Sequence, residues 1–479
     1  MLLADPDATT TPVSTRESTA SLLRALLVLA MPVLIEQVLH GFAGLADTWI
    51  ANHFIRITPQ MSAVEVEAAR RAMTAAGSAA GTISYLLWFV GLVAGAVGTG
   101  STAIIARATG ARDRRLANSI CGQSIGLALA VGLVLAFVVF ALAGPIARIT
   151  GLPDEAVGFA RTYIQIISFG LPFMIVLMVA NACLRGAGDT IWPAIAMIVV
   201  DVVNIALAFT LAFGWLGLPA LGFTGIAVGA LCGYVVGGTL QVILLLVGRG
   251  RVRLYLHRLR PHWHNMRRLL RIGLPSGVES SIMWIVNFVL IQVINRLDAT
   301  AAFGAAHGIA VRIEAFSFLA GFAMAIAATT MVGQSLGMRD PRRAQRSAML
   351  AYALGGSMMT FAGVLYILFG RHFAAAMSDD PRVVELTTEC LLYTGFIQCF
   401  FAAAMIFGGS LRGAGDTLTV MVINLIFLLG VRLLGLLAMV QWSRPDLGDI
   451  WLLLSGEIAL RGTALFVQFQ RGRWKRVKV

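Results

Sequence analysis

The chain has 479 residues, of which 58% are hydrophobic and only 13% charged, with 50 glycines and a mean hydropathy of +0.82. So few charges cannot clothe a water-soluble domain of this length, which excludes a soluble enzyme or binding module and leaves an integral membrane protein. The net charge of +13 requires no nucleic acid, because basic residues gathered on one face of a membrane set topology and attract anionic lipid head groups.

Residues 1–21 read as a cytoplasmic tail, since they lack the basic start, apolar core and cleavage site of a secretory signal. The first apolar run long enough to cross about 30 Å of hydrocarbon is 22–52, which carries Pro32, Glu36 and, in the stretch GLADT, Asp47. Further runs follow at 73–106, 117–143, 157–184, 190–212 and 223–247, the fifth holding Asp201 and Asn204. Between the fourth and fifth stands LRGAGDT, in which Arg185 suits a helix C-terminus at the cytoplasmic surface. Gly186 and Gly188 suit the positive φ that ends a helix, and Asp189 suits the cap of the next.

A basic linker, 248–271, comes next; Leu254, Leu256, Leu259 and Trp263 among its arginines suit an amphipathic segment on the cytoplasmic leaflet. Six more runs close the chain at 272–295, 304–335, 347–370, 383–411, 417–440 and 449–470, followed by a basic tail, 471–479. The first of these holds Pro275 and Glu279. A carboxylate in the middle of a spanning helix costs a few kcal/mol on insertion scales, so Glu36, Asp201 and Glu279 are expected to handle an ion or substrate. Arg312 with Glu314 reads as a structural charge network, Glu457 with Arg461 as a pair one helical turn apart, and His307 as a packing histidine. The five cysteines, Cys121, Cys183, Cys232, Cys390 and Cys399, are scattered through apolar runs and read as packing residues rather than metal ligands.

Basic residues collect on alternate sides of these twelve runs. One side takes RATGARDRR, the RGAGDT turns, the linker, GMRDPRRAQR and the terminal RGRWKRVKV; the other has a few, such as Arg56, Arg70, Arg71 and Arg444. Both termini are therefore expected in the cytoplasm, in a multi-pass protein of the cell (inner) membrane.

The turn recurs. LRGAGDT stands again at 411–417, with Arg412, Gly413, Gly415 and Asp416, and sliding the chain by 227 positions also aligns GSAAG with GAAHG and GARDRR with GMRDPR. At the front of the halves AMPVLIE matches GLPSGVE, so Glu36 and Glu279 each stand four residues after a proline. These matches predict an all-α polytopic fold: twelve transmembrane helices in two lobes, 22–247 and 272–470, related by a pseudo-twofold along the membrane normal around a central cleft. A tight helix hairpin needs no such duplication, so the two turns are expected to be equivalent gating hinges.

Twelve runs in two parallel halves, a proline in the first helix of each, GLADT, GAAHGIAVRIEAFSF, TTMVGQSLG and the doubled LRGAGDT resemble the multidrug and toxic compound extrusion (MATE) family over about 22–470. The resemblance implies an antiporter that expels organic, often cationic, compounds against an inward flow of Na+ or H+. In one branch of that family an aspartate fifteen residues after the first proline belongs to an amino-terminal cavity site, and Asp47 matches it. Asn204 matches that site's asparagine, giving a possible Na+ position at Asp47 and Asn204, but the carboxylate four residues later is replaced by Ala208. Asp201, one turn earlier on the same face, is the candidate substitute. The carboxylates of a second branch fall at Met283 and Phe401, so that carboxy-lobe site is expected to be absent, with Glu279 one turn away from it.

No HExxH or Walker loop is present, so no catalytic residue or cofactor is expected beyond the coupling ion. The expected partners are a small-molecule substrate and the bilayer, for a monomeric transporter. The alternative is a flippase for a lipid-linked or other metabolite from the wider superfamily. That reading would call for extra spans or a cationic cleft.

Overall fold

The computed structural model describes residues 18–55, 58–149, 152–298, 300–443 and 445–477. Arg56, Arg444 and most of the 1–21 tail lie outside the described residues. Among the described residues the chain is helical throughout, with short loops at the two membrane faces.

The first half comprises α1 (Thr19–His53), α2 (Ala63–Gly110), α3 (Arg114–Ala141), the short α4 (Ala143–Ile149), α5 (Asp154–Ser168), α6 (Leu171–Gly186), α7 (Ile191–Phe213) and α8 (Phe223–Val247). The second comprises α9 (Trp263–Leu297), α10 (Ala302–Gly337), α11 (Pro341–Ala375), α12 (Pro381–Gly413), α13 (Thr417–Leu425), α14 (Leu434–Trp442) and α15 (Leu447–Arg471). Among the described residues eleven stretches are long and apolar enough to span a membrane, and α5 with α6, bent by 58° at Phe169 and Gly170, forms a broken twelfth. The order is the expected one, although the elements outrun the apolar runs. At about 1.5 Å per residue the 48 residues of α2 far exceed a 30 Å hydrocarbon layer, so the polar turns 63–72 that Ser62 and Glu65 cap extend beyond it.

The linker is less loose than an amphipathic surface segment. Val252 and Leu254 are buried in the core of the first half, while Leu256 and Trp263 are exposed. Gln123 of α3 holds the segment down: its Nε2 donates to the carbonyls of Arg258 and Arg260, and its Oε1 accepts from the His262 N–H. Helix α9 then starts at Trp263, ahead of the expected 272, because the basic stretch 263–271 continues the same helix past the hydrocarbon.

Two six-span lobes result, joined at the end that carries the basic loops. The prolines mark where their first helices change allegiance. Before Pro32, α1 buries Leu22, Leu26, Leu29 and Ala30 against Met324, Met359 and Ile406 of the second half; after it, Ile50 and Ala51 join the core of the first. Helix α9 mirrors this about Pro275, with Leu269 and Ile272 in the core of the first half and Leu290 and Ile294 in that of the second. A proline removes one backbone hydrogen bond and loosens a helix locally. Here it sits where one helix passes between two bodies.

Candidate functional site

Helix α1 presents Glu36, His40 and Asp47 at spacings of four and seven, which places all three on one stripe facing the fourth span and α7. Each meets a polar partner. The Arg185 guanidinium donates to both Glu36 oxygens at 2.6 Å. His40 Nδ1 lies 3.0 Å from Asp201 Oδ1. The Asn204 amide nitrogen donates to the Asp47 carboxylate at 3.1 and 3.3 Å.

The structure thus brings Asp47 and Asn204 together, and sets Asp201 against His40 one turn away. His40 is not among the residues the sequence singles out, although an ionisable side chain in the middle of a spanning helix is a signal for it. The Asn204 and Asp201 side chains are buried, and Asn204 Oδ1 and Asp201 Oδ2 accept no hydrogen bond among the described residues. Carboxylate and amide oxygens of this kind suit a hard monovalent cation or a proton. Among the described residues no three His, Cys, Asp or Glu side chains converge as a metal-binding group.

The LRGAGDT turn explains itself residue by residue. Arg185 is not at a surface: only 15% of its side chain is exposed and it anchors Glu36. Gly188 takes φ +85 and Gly415 φ +84, the left-handed turn that ends each helix, whereas Gly186 and Gly413 have ordinary helical backbones. Their need for glycine is proximity: a Cβ at Gly186 would sit 2.9 Å from the Thr102 carbonyl, and one at Gly413 would overlap that of Thr329. Asp189 Oδ1 accepts from the Trp192 N–H at 3.4 Å, and Thr190 Oγ1 donates to the Val28 carbonyl at 3.3 Å. Val28 stands four residues before Pro32, so this is the carbonyl that the proline leaves without its helical donor.

Each turn is also gripped by the opposite half. Thr330 and Gln334 of α10 donate to the carbonyls of Arg185 and Gly186 at 2.9 and 3.2 Å. Arg107, the counterpart of Gln334 at the 227 offset, donates to Ala414 at 3.1 Å and to Val477 of the C-terminal tail at 2.7 Å. Helices α2 and α10 cross so closely beside these bonds that a Cβ at Gly110 or Gly337 would overlap the carbonyl of Gln334 or Arg107. The seam is closed at the basic end, and a cleft sealed there can open only toward the other.

The second half repeats the Arg–Glu pair: Arg412 bonds Glu279, which also accepts from Asn424. Glu279 is therefore tied to its turn rather than turned toward the region of Met283 and Phe401. Among the described residues the Asp47 site has no counterpart in the second half. A π-helical segment, Ile426–Leu433, interrupts the eleventh span and buries Arg432, one position beyond the register of Asn204. Arg432 Nη2 bonds Glu457 at 2.5 Å and its Nη1 bonds Asn287 at 2.9 Å. Glu457 consequently bridges Arg432 and, at 3.0 Å, Arg461, rather than forming a simple helix pair. Arg312 and Glu314 do not pair with each other: Arg312 is exposed and Glu314 accepts from Thr394 at 2.5 Å. His307 sits edge-on to Trp451 at 5.5 Å, as a packing residue would.

The MatE family model matches residues 71–210 and 275–435. A Thermotoga maritima protein described as "Probable multidrug resistance protein NorM" is 27% identical over 463 residues, covering 96% of this chain and 95% of its own. "Multidrug resistance protein PmpM" of Pseudomonas aeruginosa is 26% identical over 465 residues, covering 94% and 91%. Among solved structures, a MOP superfamily transporter from Pyrococcus furiosus superposes with a TM-score of 0.83 at 20% identity, over 96% of this chain and 99% of that one. A multidrug resistance MATE family transporter in an outward-facing conformation superposes at 0.82 and 21%, over the same shares. At these identities the superpositions speak for the fold, which they share from end to end.

Proposed function

The chain belongs to the MatE family of multi-pass membrane transporters, and from that premise we propose that it is a secondary antiporter. It exports organic, amphiphilic cations in exchange for inward-moving Na+ or H+ across the cell (inner) membrane, as a monomer with both termini in the cytoplasm. The observation that carries this reading is Asp47 paired with Asn204 on the hinged first helix, beside the buried Asp201. A charged Asp47 attracts an organic cation, and a proton or Na+ on the same group removes that attraction. The two ligands therefore favour different states of one site, as exchange demands. The names of the relatives, multidrug resistance proteins, support the substrate class. The orientation rests on the basic loops.

The test is uptake of a fluorescent cationic dye into proteoliposomes, driven separately by an imposed Na+ gradient and an imposed pH gradient. One gradient should drive dye movement in the wild type, and Asp47→Asn, which keeps the shape and removes the charge, should abolish it. Dye movement driven by neither gradient overturns the antiport assignment.

A further inference from the structure

At the basic end, beside the first LRGAGDT turn, a cavity of about 390 Å³ lies on the seam between the lobes. Three arginines from separate elements reach it: Arg24 from α1, Arg251 from the linker and Arg343 from the start of α11. Ser21 and Gln334 add polar atoms, and among the described lining side chains there is no carboxylate. Arg251 is directed at the turn itself, since a Cβ on Gly188 would stand 3.2 Å from its Nη1. The other flank is apolar, with the buried Met331 and with Val28 of α1, 55% exposed. Beyond Val28 the same helix continues outward through Met31 and Ile35, exposed at 45% and 49%.

Cations on one wall and an apolar strip leading into the hydrocarbon match an amphiphile whose head is an anion at the membrane face. We propose that this cavity is a site for an anionic phospholipid, its phosphate held by Arg24 and Arg251 with Arg343 at the rim and one acyl chain lying along Val28, Met31 and Ile35. Basic pockets between spanning helices at the cytoplasmic face take such head groups, and guanidinium groups suit phosphate oxygens better than point charges do. The exposed strip selects a lipid over a soluble anion, because free phosphate gains nothing from it. The walls come from both lobes, so the site is whole only when the seam is closed. A bound lipid therefore favours this state by mass action. The inference does not depend on what is exported or on the coupling ion.

Native mass spectrometry of the full chain tests it, with phosphatidylglycerol, phosphatidylcholine of the same chains, and inorganic phosphate as the three probes. The wild type should retain phosphatidylglycerol at least tenfold over phosphatidylcholine, and Arg24→Gln with Arg251→Gln should reduce that preference to about twofold. Arg24→Lys with Arg251→Lys, run beside it, should keep most of the preference, which separates loss of charge from misfolding. An undiminished preference in the glutamine variant overturns the site. Displacement of the lipid by millimolar inorganic phosphate alone overturns its assignment to a lipid.

Discussion

Glu36 and Asp47 lie three turns apart on one stripe of α1, about 16 Å along the axis, yet their partners give them different tasks. Glu36 accepts both its bonds from a largely enclosed arginine at the turn, whereas Asp47 meets a neutral amide. Removing one member of a buried ion pair strands the other, at a cost of about 3–5 kcal/mol, while removing both costs much less. Glu36→Gln should therefore lower the thermal midpoint in detergent more than Glu36→Gln combined with Arg185→Met does; additive losses would mean the pair contributes nothing. Asp47→Asn should leave that midpoint nearly unchanged while stopping gradient-driven dye movement. The same logic separates the halves, because Glu279→Gln disturbs the ion pair with Arg412 and should reduce export through stability and turn geometry rather than through coupling.

At the scale of the element, the turns and the prolines form one device. Pro32 frees the Val28 carbonyl, Thr190 of the turn takes it, and Arg185 of the same turn holds Glu36 one helical turn beyond the proline. Bending α1 must therefore work against contacts made by a single hexapeptide. A β-branched residue resists positive φ, and at Gly188 it would also press on Gln334 Nε2, 2.7 Å from the position of a Cβ. Gly188→Val and Gly415→Val should slow dye export several-fold more than they weaken equilibrium dye binding, measured by fluorescence anisotropy. An equal loss of both would indicate misfolding rather than a stiffened hinge.

At the scale of the whole molecule, the closed seam includes two close glycine contacts, Gly110 against Gln334 and Gly337 against Arg107. An alanine at either position cannot fit while the lobes touch, but is harmless once they part. Gly337→Ala should thus shift the population toward a state open at the basic end. Spin labels at Arg115 and Arg342, exposed on opposite lobes at that end, should report a longer mean distance in a background lacking the five native cysteines. An unchanged distance distribution would show that the seam yields elsewhere.

Composition and periodicity by themselves determined the membrane class, the twelve spans and their order, because crossing hydrocarbon demands apolar runs whatever their neighbours are, and the repeated motifs determined the two parallel halves. The match of Pro32 with Pro275 and of Glu36 with Glu279 was equally legible, since a duplication keeps its register. What only the tertiary structure decided was pairing across elements. That Arg185 pairs with Glu36, that Gly186 serves a close approach instead of positive φ, and that Asp201 turns to His40 all depend on which helix lies opposite. Local sequence carries no term for that. The π-helical segment at Ile426–Leu433 makes the same point: one extra residue in a turn looks unremarkable as letters, but it rotates Arg432 onto Glu457 and sets an ion network in the second half where the register of the first holds Asn204 beside Asp47. Side chains far apart in the chain meet only once the helices have been packed, and the charge that a membrane interior will tolerate is settled at that step.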